Sequence, residues 1–563
     1  LVRKAVNLPE VRTGEDEWYA NRLVNEALLE VDHHGYGPVH INVPLSEPLF
    51  QFTAEALPSV RRMVRRDMSD EGRTLSFFLK EELPKYRRVL VVSGQMSSDE
   101  AAGVAACLSG SRVAWLAEVL GNCPSASDAV RGFDALLYAA REEDLQALRP
   151  DLVITVGGHV VSKRLKQFLR RTPSLVHWHV SPDGLPADLF CALTTVVEAS
   201  PADFFRLFFR PEALLSGAYA QLWHESCARL ASPETGYSEM YAVRRVLEAL
   251  PPHAVLHLAN SSVVRLAELC RLPEGVEVQC NRGVNGIEGS VSAAVGYAAV
   301  SDRMNFLLVG DLSFFYDMNA LWNGHIRSNL RIVVLNNGGG AIFHALPGLD
   351  MAGDTRHFVT ASHGASAAGW AESQGFTYLQ AADTVSLLAA FDDLLDETAT
   401  APVLLEVFTD AEADCLAGQP EELLQLLQNN PLIREALITD FLCLQDGRVL
   451  LSASGRTGYT FPVGGSLDGR DRVRPCVAEN GTVYLSFQLE GERGLWYAAL
   501  VDLSLFYRQV AGGLTTSPRD QILLLDAGGQ VLLRQTGQEI RVELAADGLA
   551  GEPGLGFLLQ CQR

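Results

Sequence analysis

Residues 310–343 read GDLSFFYDMNALWNGHIRSNLRIVVLNNGGGAIF. The apolar run 304–309 just before it has the look of a buried strand, and it stops at Gly310-Asp311. A second apolar run, 330–335, stops at Asn336-Asn337 and three glycines. Two such strands joined by a helix lie parallel in one sheet and end at the same edge. That edge, outside the carboxyl ends of parallel strands, is where open α/β sheets bind ligands. A carboxylate, an amide oxygen and a free carbonyl in a glycine turn are hard oxygen donors. They suit a Mg²⁺ ion that keeps part of its shell for phosphate oxygens, so the implied cargo is a diphosphate. The plainer alternative is a strand-turn-helix with a structural Asp cap and a Gly-rich turn.

The stretch resembles the metal–diphosphate signature of thiamine diphosphate (ThDP) enzymes, in which Gly-Asp-x-Ser is followed downstream by Asn-Asn. The wording narrows the resemblance. GDLSFFYDMNAL followed by NNGGGAIFHALPG is similar to the 2-succinyl-5-enolpyruvyl-6-hydroxy-3-cyclohexene-1-carboxylate (SEPHCHC) synthase family of menaquinone biosynthesis. NRGVNGIEG at 281–289, ANSSVVRL at 259–266 and GPVHINVPLSEPLF at 37–50 agree with it, in the same order. The resemblance covers residues 1 to about 415.

It implies a transferase that uses ThDP and Mg²⁺ or Mn²⁺ to decarboxylate 2-oxoglutarate and join the product to isochorismate. Asp311, Asn337 and the Gly339 carbonyl would hold the metal. Gly310, Leu312 and Ser313 would meet the diphosphate at a helix start, where the dipole favours anions. Gly286 would face the aminopyrimidine, Ile287 would prop the cofactor into its bent form, and Ile342, Phe343 and Leu346 would line the pocket. Both substrates are polyanions, which calls for guanidinium groups that grip carboxylates bidentately. The resemblance assigns Arg265 and Ser261, Arg282, and the pair Lys163 and Arg164 to that work. For any one of these the plain reading is a solvated cation or ordinary core packing.

The resemblance also implies a ThDP-binding α/β fold with two parallel-sheet domains, a middle one at 49–215 and a diphosphate domain at 216–415. Residues 1–48 look like the tail of an N-terminal pyrimidine-binding domain, with a helix over 18–31, a strand over 39–43 and a boundary at Pro44 and Pro48. The glutamate that family members hold against the pyrimidine has no counterpart among the early acids, Glu15, Glu17, Glu26 and Glu30 included. The chain alone is therefore expected to turn over little, and a homodimer or homotetramer is expected to be the working form. In the middle domain, 87–108 and the stretch DLVITVGGHVVSKRLKQFLR are strand-turn-helix units that lack GxGxxG, so no dinucleotide is expected there. Residues 211–230 read as a helical connection.

From about 420 to 563 the pattern changes to short strands and turns. An amphipathic helix, EELLQLLQNNPLIREAL, precedes two Asp-Gly or Gly-Gly hairpin signals at Asp446-Gly447 and Gly528-Gly529. The order resembles an α+β Cache/PAS-like sensor domain, with Tyr484, Phe487, Trp496 and Tyr497 expected in its core.

The chain has 563 residues, of which 48% are hydrophobic, enough to bury several cores, and carries a net charge of −22. That charge argues against nucleic acid and anionic membranes as partners. The ten cysteines form no CxxC or metal spacing and read as reduced thiols of a cytoplasmic protein. No apolar run reaches membrane-spanning length. Two other functions fit less of the sequence. An acetolactate-synthase-like ThDP carboligase would have no use for Arg265 and Arg282. A non-catalytic ligand-sensing fusion would have no reason to keep Asp311 and Asn337.

Overall fold

A computed structural model of the chain describes residues 2–45, 59–208, 217–228, 236–345 and 358–411, residues 56 and 414, and ten strands between Ile438 and Gln562. Its described residues fall into two compact units. One draws on Leu1–Leu230, Ala242–Phe343 and Asp350–Phe408, the other on Ala231–Tyr241, His344–Leu349 and Thr409–Arg563.

The first unit opens with a parallel pair of short strands, Lys4–Asn7 and Val39–Asn42, joined through the helix Gly14–Leu29. Thr13 sets the start of that helix. Its hydroxyl accepts the Asp16 amide at 3.2 Å while the Asp16 carboxylate accepts the Thr13 amide at 2.9 Å. This reciprocal cap satisfies two otherwise orphaned donors, and the expected start at position 18 overlooked it. The strand Lys4–Asn7 was not expected either.

Six parallel strands then form one sheet in the order Val64–Asp67, Leu193–Glu198, Val176–Ser181, Leu152–Val156, Val89–Ser93, Ala114–Ala117. The strand Val89–Ser93 is buried at every position. Val89 and Val91 pack into one apolar cluster and Leu90 and Val92 into another. Alternate residues thus enter cores on both faces, which is why such strands read as continuous apolar runs. Ser97 caps the helix Ser98–Leu108 through the Glu100 amide.

A second six-stranded parallel sheet runs Glu277–Cys280, Val255–Leu258, Asn305–Gly310, Leu330–Asn336, Val403–Phe408, Thr377–Ala381. The two strands expected from the opening motif are neighbours near its centre, with Gly310 opposite Leu335. The fully buried Arg331 meets backbone carbonyls rather than a carboxylate: its Nε donates to Leu394 at 2.8 Å and its Nη1 to Leu330 at 3.1 Å.

The tail is a different architecture. Its strands form two antiparallel sheets, ordered Arg448–Ser452, Ile438–Gln445, Leu495–Asp502, Val483–Glu490, Val473–Ala478, Tyr459–Thr460, and Glu539–Val542, Val531–Thr536, Gln521–Leu525, Leu558–Gln562. Both expected hairpins are present, with Gln445 paired to Arg448 across Asp446-Gly447 and Leu525 paired to Val531 across the second turn. The expected helix before them, and the side chains of Tyr484, Phe487, Trp496 and Tyr497, lie outside the described residues. Among those residues no helix is long and apolar enough to cross a membrane.

Candidate active site

The centre of the second sheet builds the site. The strand Asn305–Gly310 runs directly into the helix Asp311–Asp317, which makes Asp311 the first helical residue, only 3% exposed. Burial raises its carboxyl from its ordinary value. Its Oδ1 accepts the Leu312 amide at 2.6 Å and its Oδ2 accepts the Gly339 amide at 3.0 Å. The adjacent strand ends at Asn336, whose side-chain nitrogen donates to Glu406 at 2.7 Å. Asn337 follows, and its Oδ1 is buried with no hydrogen-bond partner.

The three glycines make this turn possible. Gly338 and Gly339 have φ of +78° and +155°, and a Cβ on Gly339 would stand 2.8 Å from the Thr360 carbonyl. Side chains rarely adopt such backbone. The Gly339 carbonyl accepts the Ala341 amide at 3.1 Å and keeps a second lone pair. One buried carboxylate, one buried amide oxygen without a partner and one turn carbonyl thus follow the ends of two neighbouring strands. A buried polar atom normally finds a partner, and a divalent cation is the partner that oxygens of this kind take. The residues fit a Mg²⁺-class ion bound together with a diphosphate.

Ser313 is buried and its hydroxyl donates to the Ile287 carbonyl, which ties the start of this helix to the NRGVNGIEG turn. Ile287 itself is half-buried. The Gly286 carbonyl accepts from Asn260 at 2.6 Å. The expected helix at Ile342 and Phe343 is a 3-10 turn, Ala341–Ala345, with the Phe343 ring against Gly340. Leu346 lies outside the described residues.

The cationic residues come from two places. The strand Val255–Leu258 leads through Ala259, Asn260 and Ser261 into the helix Ser262–Ala267. Ser261 sits at φ +76° and ψ −129°, a strained conformation for a residue with a side chain, and such strain clusters at functional sites. Arg282 is 9% exposed, and its Nη1 donates to Asn260 Oδ1 at 2.9 Å. Arg265 is held below its ordinary pKa by burial and then by repulsion from Arg282, with Arg164 and Asp134 also in electrostatic reach.

Arg164, on the helix Lys163–Arg170, pairs with Asp134 at 2.6 Å and stacks 4.7 Å from the Tyr138 ring centre. Lys163 is exposed at the first turn of the same helix. The structure thus brings Arg164, Arg265 and Arg282 into one electrostatic cluster, and Arg164 enters it already engaged.

Three residues of the site were not anticipated. Lys166, one helical turn beyond Lys163, is held down by burial and feels Arg282 and Arg265 as well as Glu118. Asn260 bridges Arg282, the Asn281 carbonyl and the Gly286 carbonyl. It lies inside ANSSVVRL, where a polar residue at a strand end was the available signal. His363 places Nε2 3.3 Å from Asp311 Oδ2, and nothing local in the sequence connects the two.

No family model matches the chain. It is 50% identical over 427 residues to 2-succinyl-5-enolpyruvyl-6-hydroxy-3-cyclohexene-1-carboxylate synthase of Bacteroides thetaiotaomicron, covering 74% of this chain and 75% of that protein. The same-named proteins of Bacteroides fragilis and Flavobacterium johnsoniae are 51% and 32% identical. The first alignment covers 74% of this chain and 75% of the relative, the second 72% and 73%. With half of the aligned residues shared over three quarters of both partners, the chain belongs to the 2-succinyl-5-enolpyruvyl-6-hydroxy-3-cyclohexene-1-carboxylate synthase family.

Proposed function

We propose that the edge formed by Asp311, Asn337 and Gly339 binds ThDP through a divalent cation, and that the Arg265–Arg282 cluster receives the substrate carboxylates. The chain is a ThDP- and Mg²⁺-dependent carboligase of menaquinone biosynthesis, with 2-oxoglutarate and isochorismate as substrates. The observation that carries the site reading is the buried Asp311 carboxylate bonded to the Gly339 amide, two residues after an Asn337 whose Oδ1 is buried and unpartnered.

When bound, ThDP would supply the electron sink that decarboxylation of a 2-oxo acid requires. The chain's residues do the rest. Asp311, Asn337 and the Gly339 carbonyl would hold Mg²⁺ or Mn²⁺, and Leu312 and Ser313 lie at the positive end of their helix for phosphate oxygens. Ile287 and Phe343 give the site apolar walls that exclude water. Arg265, Arg282 and Lys166 would bind and orient carboxylates, with Ser261 presented by its strained turn. Asn260 holds Arg282 in place. A chain of net charge −22 needs its cations concentrated where polyanions bind, and this cluster does that.

The tail is read as a Cache/PAS-like ligand-sensing module. Its antiparallel sheet supports this, since the first strand lies between its hairpin partner and Leu495–Asp502. The working assembly is read as a homodimer or homotetramer, which sedimentation would test. For the enzyme itself, calorimetric titration of ThDP with Mg²⁺ into the chain and into Asp311→Ala is the direct test. Mass spectrometry of products from 2-oxoglutarate and isochorismate, against pyruvate, completes it. Equal cofactor binding by both proteins overturns the assignment.

A further inference from the structure

We infer that the turn after the first long helix carries a second metal site, for a zinc-class divalent cation, built from His33, His34 and Glu198. His33 and His34 lie just beyond the helix Gly14–Leu29, and Glu198 ends the strand Leu193–Glu198 of the middle sheet. His34 Nε2 is 2.8 Å from Glu198 Oε1, and His33 Nε2 is 3.3 Å from Glu198 Oε2. One donor atom from each residue lies within 4.8 Å of the other two. Tetrahedral ligands about 2.0–2.1 Å from a zinc ion stand roughly 3.3 Å from one another; the His33–Glu198 separation equals that edge, and side-chain adjustment within the 4.8 Å span would bring the three donors onto one ion.

The second observation is the state of His33. Its Nδ1 is 3.1 Å from both oxygens of Glu30, and Glu30 is in turn fixed by Arg65 at 2.8 Å. In a neutral imidazole, a carboxylate against one ring nitrogen favours the proton there and leaves the other nitrogen's lone pair available to a metal. That is the carboxylate–histidine arrangement that supports metal ligation. His33 Nε2 is that second nitrogen. It is buried, has no hydrogen-bond partner, and belongs to a side chain only 11% exposed.

An ordinary hydrogen bond accounts for His34, whereas a neutral His33 ring with its proton on Nδ1 would turn a lone pair to a carboxylate oxygen. A metal cation there would satisfy both atoms, as a second ring proton would, and the Co²⁺ titration below separates the two. The carboxylate is also placed by backbone: a Cβ on Gly184, at φ +62°, would stand 2.8 Å from Glu198 Oε2. Two imidazoles and a carboxylate select zinc-class ions over Mg²⁺. The ion would staple residues 2–45 to the middle sheet.

The test uses the full chain, stripped with chelator and held in excess Mg²⁺ to fill the oxygen-donor site. Co²⁺ titration is expected to give one equivalent with the visible absorption of a low-symmetry nitrogen–oxygen site, displaced by Zn²⁺ and unchanged in Asp311→Ala. His34→Gln and Glu198→Gln should weaken binding by tenfold or more, and Glu30→Gln by about 10–100-fold. The His34 side chain is 69% exposed, so its variant keeps the fold and decides the matter. Absence of Mg²⁺-resistant Co²⁺ binding, or the same binding in His34→Gln, overturns the proposal.

Discussion

The Gly339 amide donates to the Asp311 carboxylate at 3.0 Å. That bond ties the tip of one strand to the turn that follows its neighbour. It holds the carboxylate and the turn in register before any ligand arrives, and Asn337 Oδ1, at the start of the same turn, is left without a partner. A site that is already assembled loses less conformational entropy on binding.

Replacing Asp311 by Ala removes both the anionic ligand and the bond that holds the turn. ThDP binding in the presence of Mg²⁺ should weaken about 100-fold or more, close to 2.7 kcal/mol. Calorimetry on the two proteins reads this directly, and circular dichroism should show the same fold in both.

Gly339→Ala tests the turn without touching a ligand side chain. The new Cβ would meet the Thr360 carbonyl at 2.8 Å on backbone of φ +155°, so the turn must move. A stability loss of about 1–3 kcal/mol is expected from the strain. Metal-dependent cofactor affinity should fall at least tenfold. Retained affinity at wild-type level would mean that the Gly339 carbonyl is not a ligand.

Much of this edge was legible in the sequence because it is local. A strand ending in Gly-Asp and a neighbour ending in Asn-Asn-Gly declare their edge through hydrophobic patterning and turn chemistry, and both strands fall within a residue of where the pattern put them. What was hidden depends on long-range packing. His363 reaches Asp311 only because a distant loop folds back, with the His363 amide on the Gly338 carbonyl at 2.9 Å. Lys166 looks like one more surface cation on an amphipathic helix until its neighbours on the other sheet are known. Glu406 reads as a strand residue, yet it is fully buried and collects Asn336, Ser366, the Ala367 amide and Tyr378.

Asn260 deserves its own variant, because it connects the substrate cations to the cofactor turn. Asn260→Ala leaves Arg282 and two backbone carbonyls without their shared partner. Unpaired buried polar groups cost about 1–3 kcal/mol each, so the melting temperature should drop. The ratio kcat/KM for 2-oxoglutarate should fall about 10–100-fold, the effect of losing a hydrogen bond to a charged group. Arg282→Lys keeps the charge but loses the fork, and should raise KM while leaving the melting temperature close to wild type.

The joint between the two parallel sheets predicts a pH dependence. Glu118 is 2% exposed and accepts the Val161 and Ser162 amides at 2.5 and 2.6 Å, just ahead of the helix that carries Arg164 and Lys166. Burial pushes its carboxyl from 4.5 to about 7. Across the joint, Glu268 accepts the Val119 amide at 2.9 Å and is pushed up by burial and then by Glu118. The folded protein thus keeps a proton that the unfolded chain gives up above 4.5. Stability from this site is complete below that pH and is lost as pH rises through about 7. Between pH 5 and 8 the wild type should lose on the order of 1–3 kcal/mol relative to Glu118→Gln, whose amide cannot ionise. Thermal melts of both proteins across that window provide the measurement. Parallel profiles would mean that Glu118 is ionised throughout and that its two backbone amides outweigh its burial.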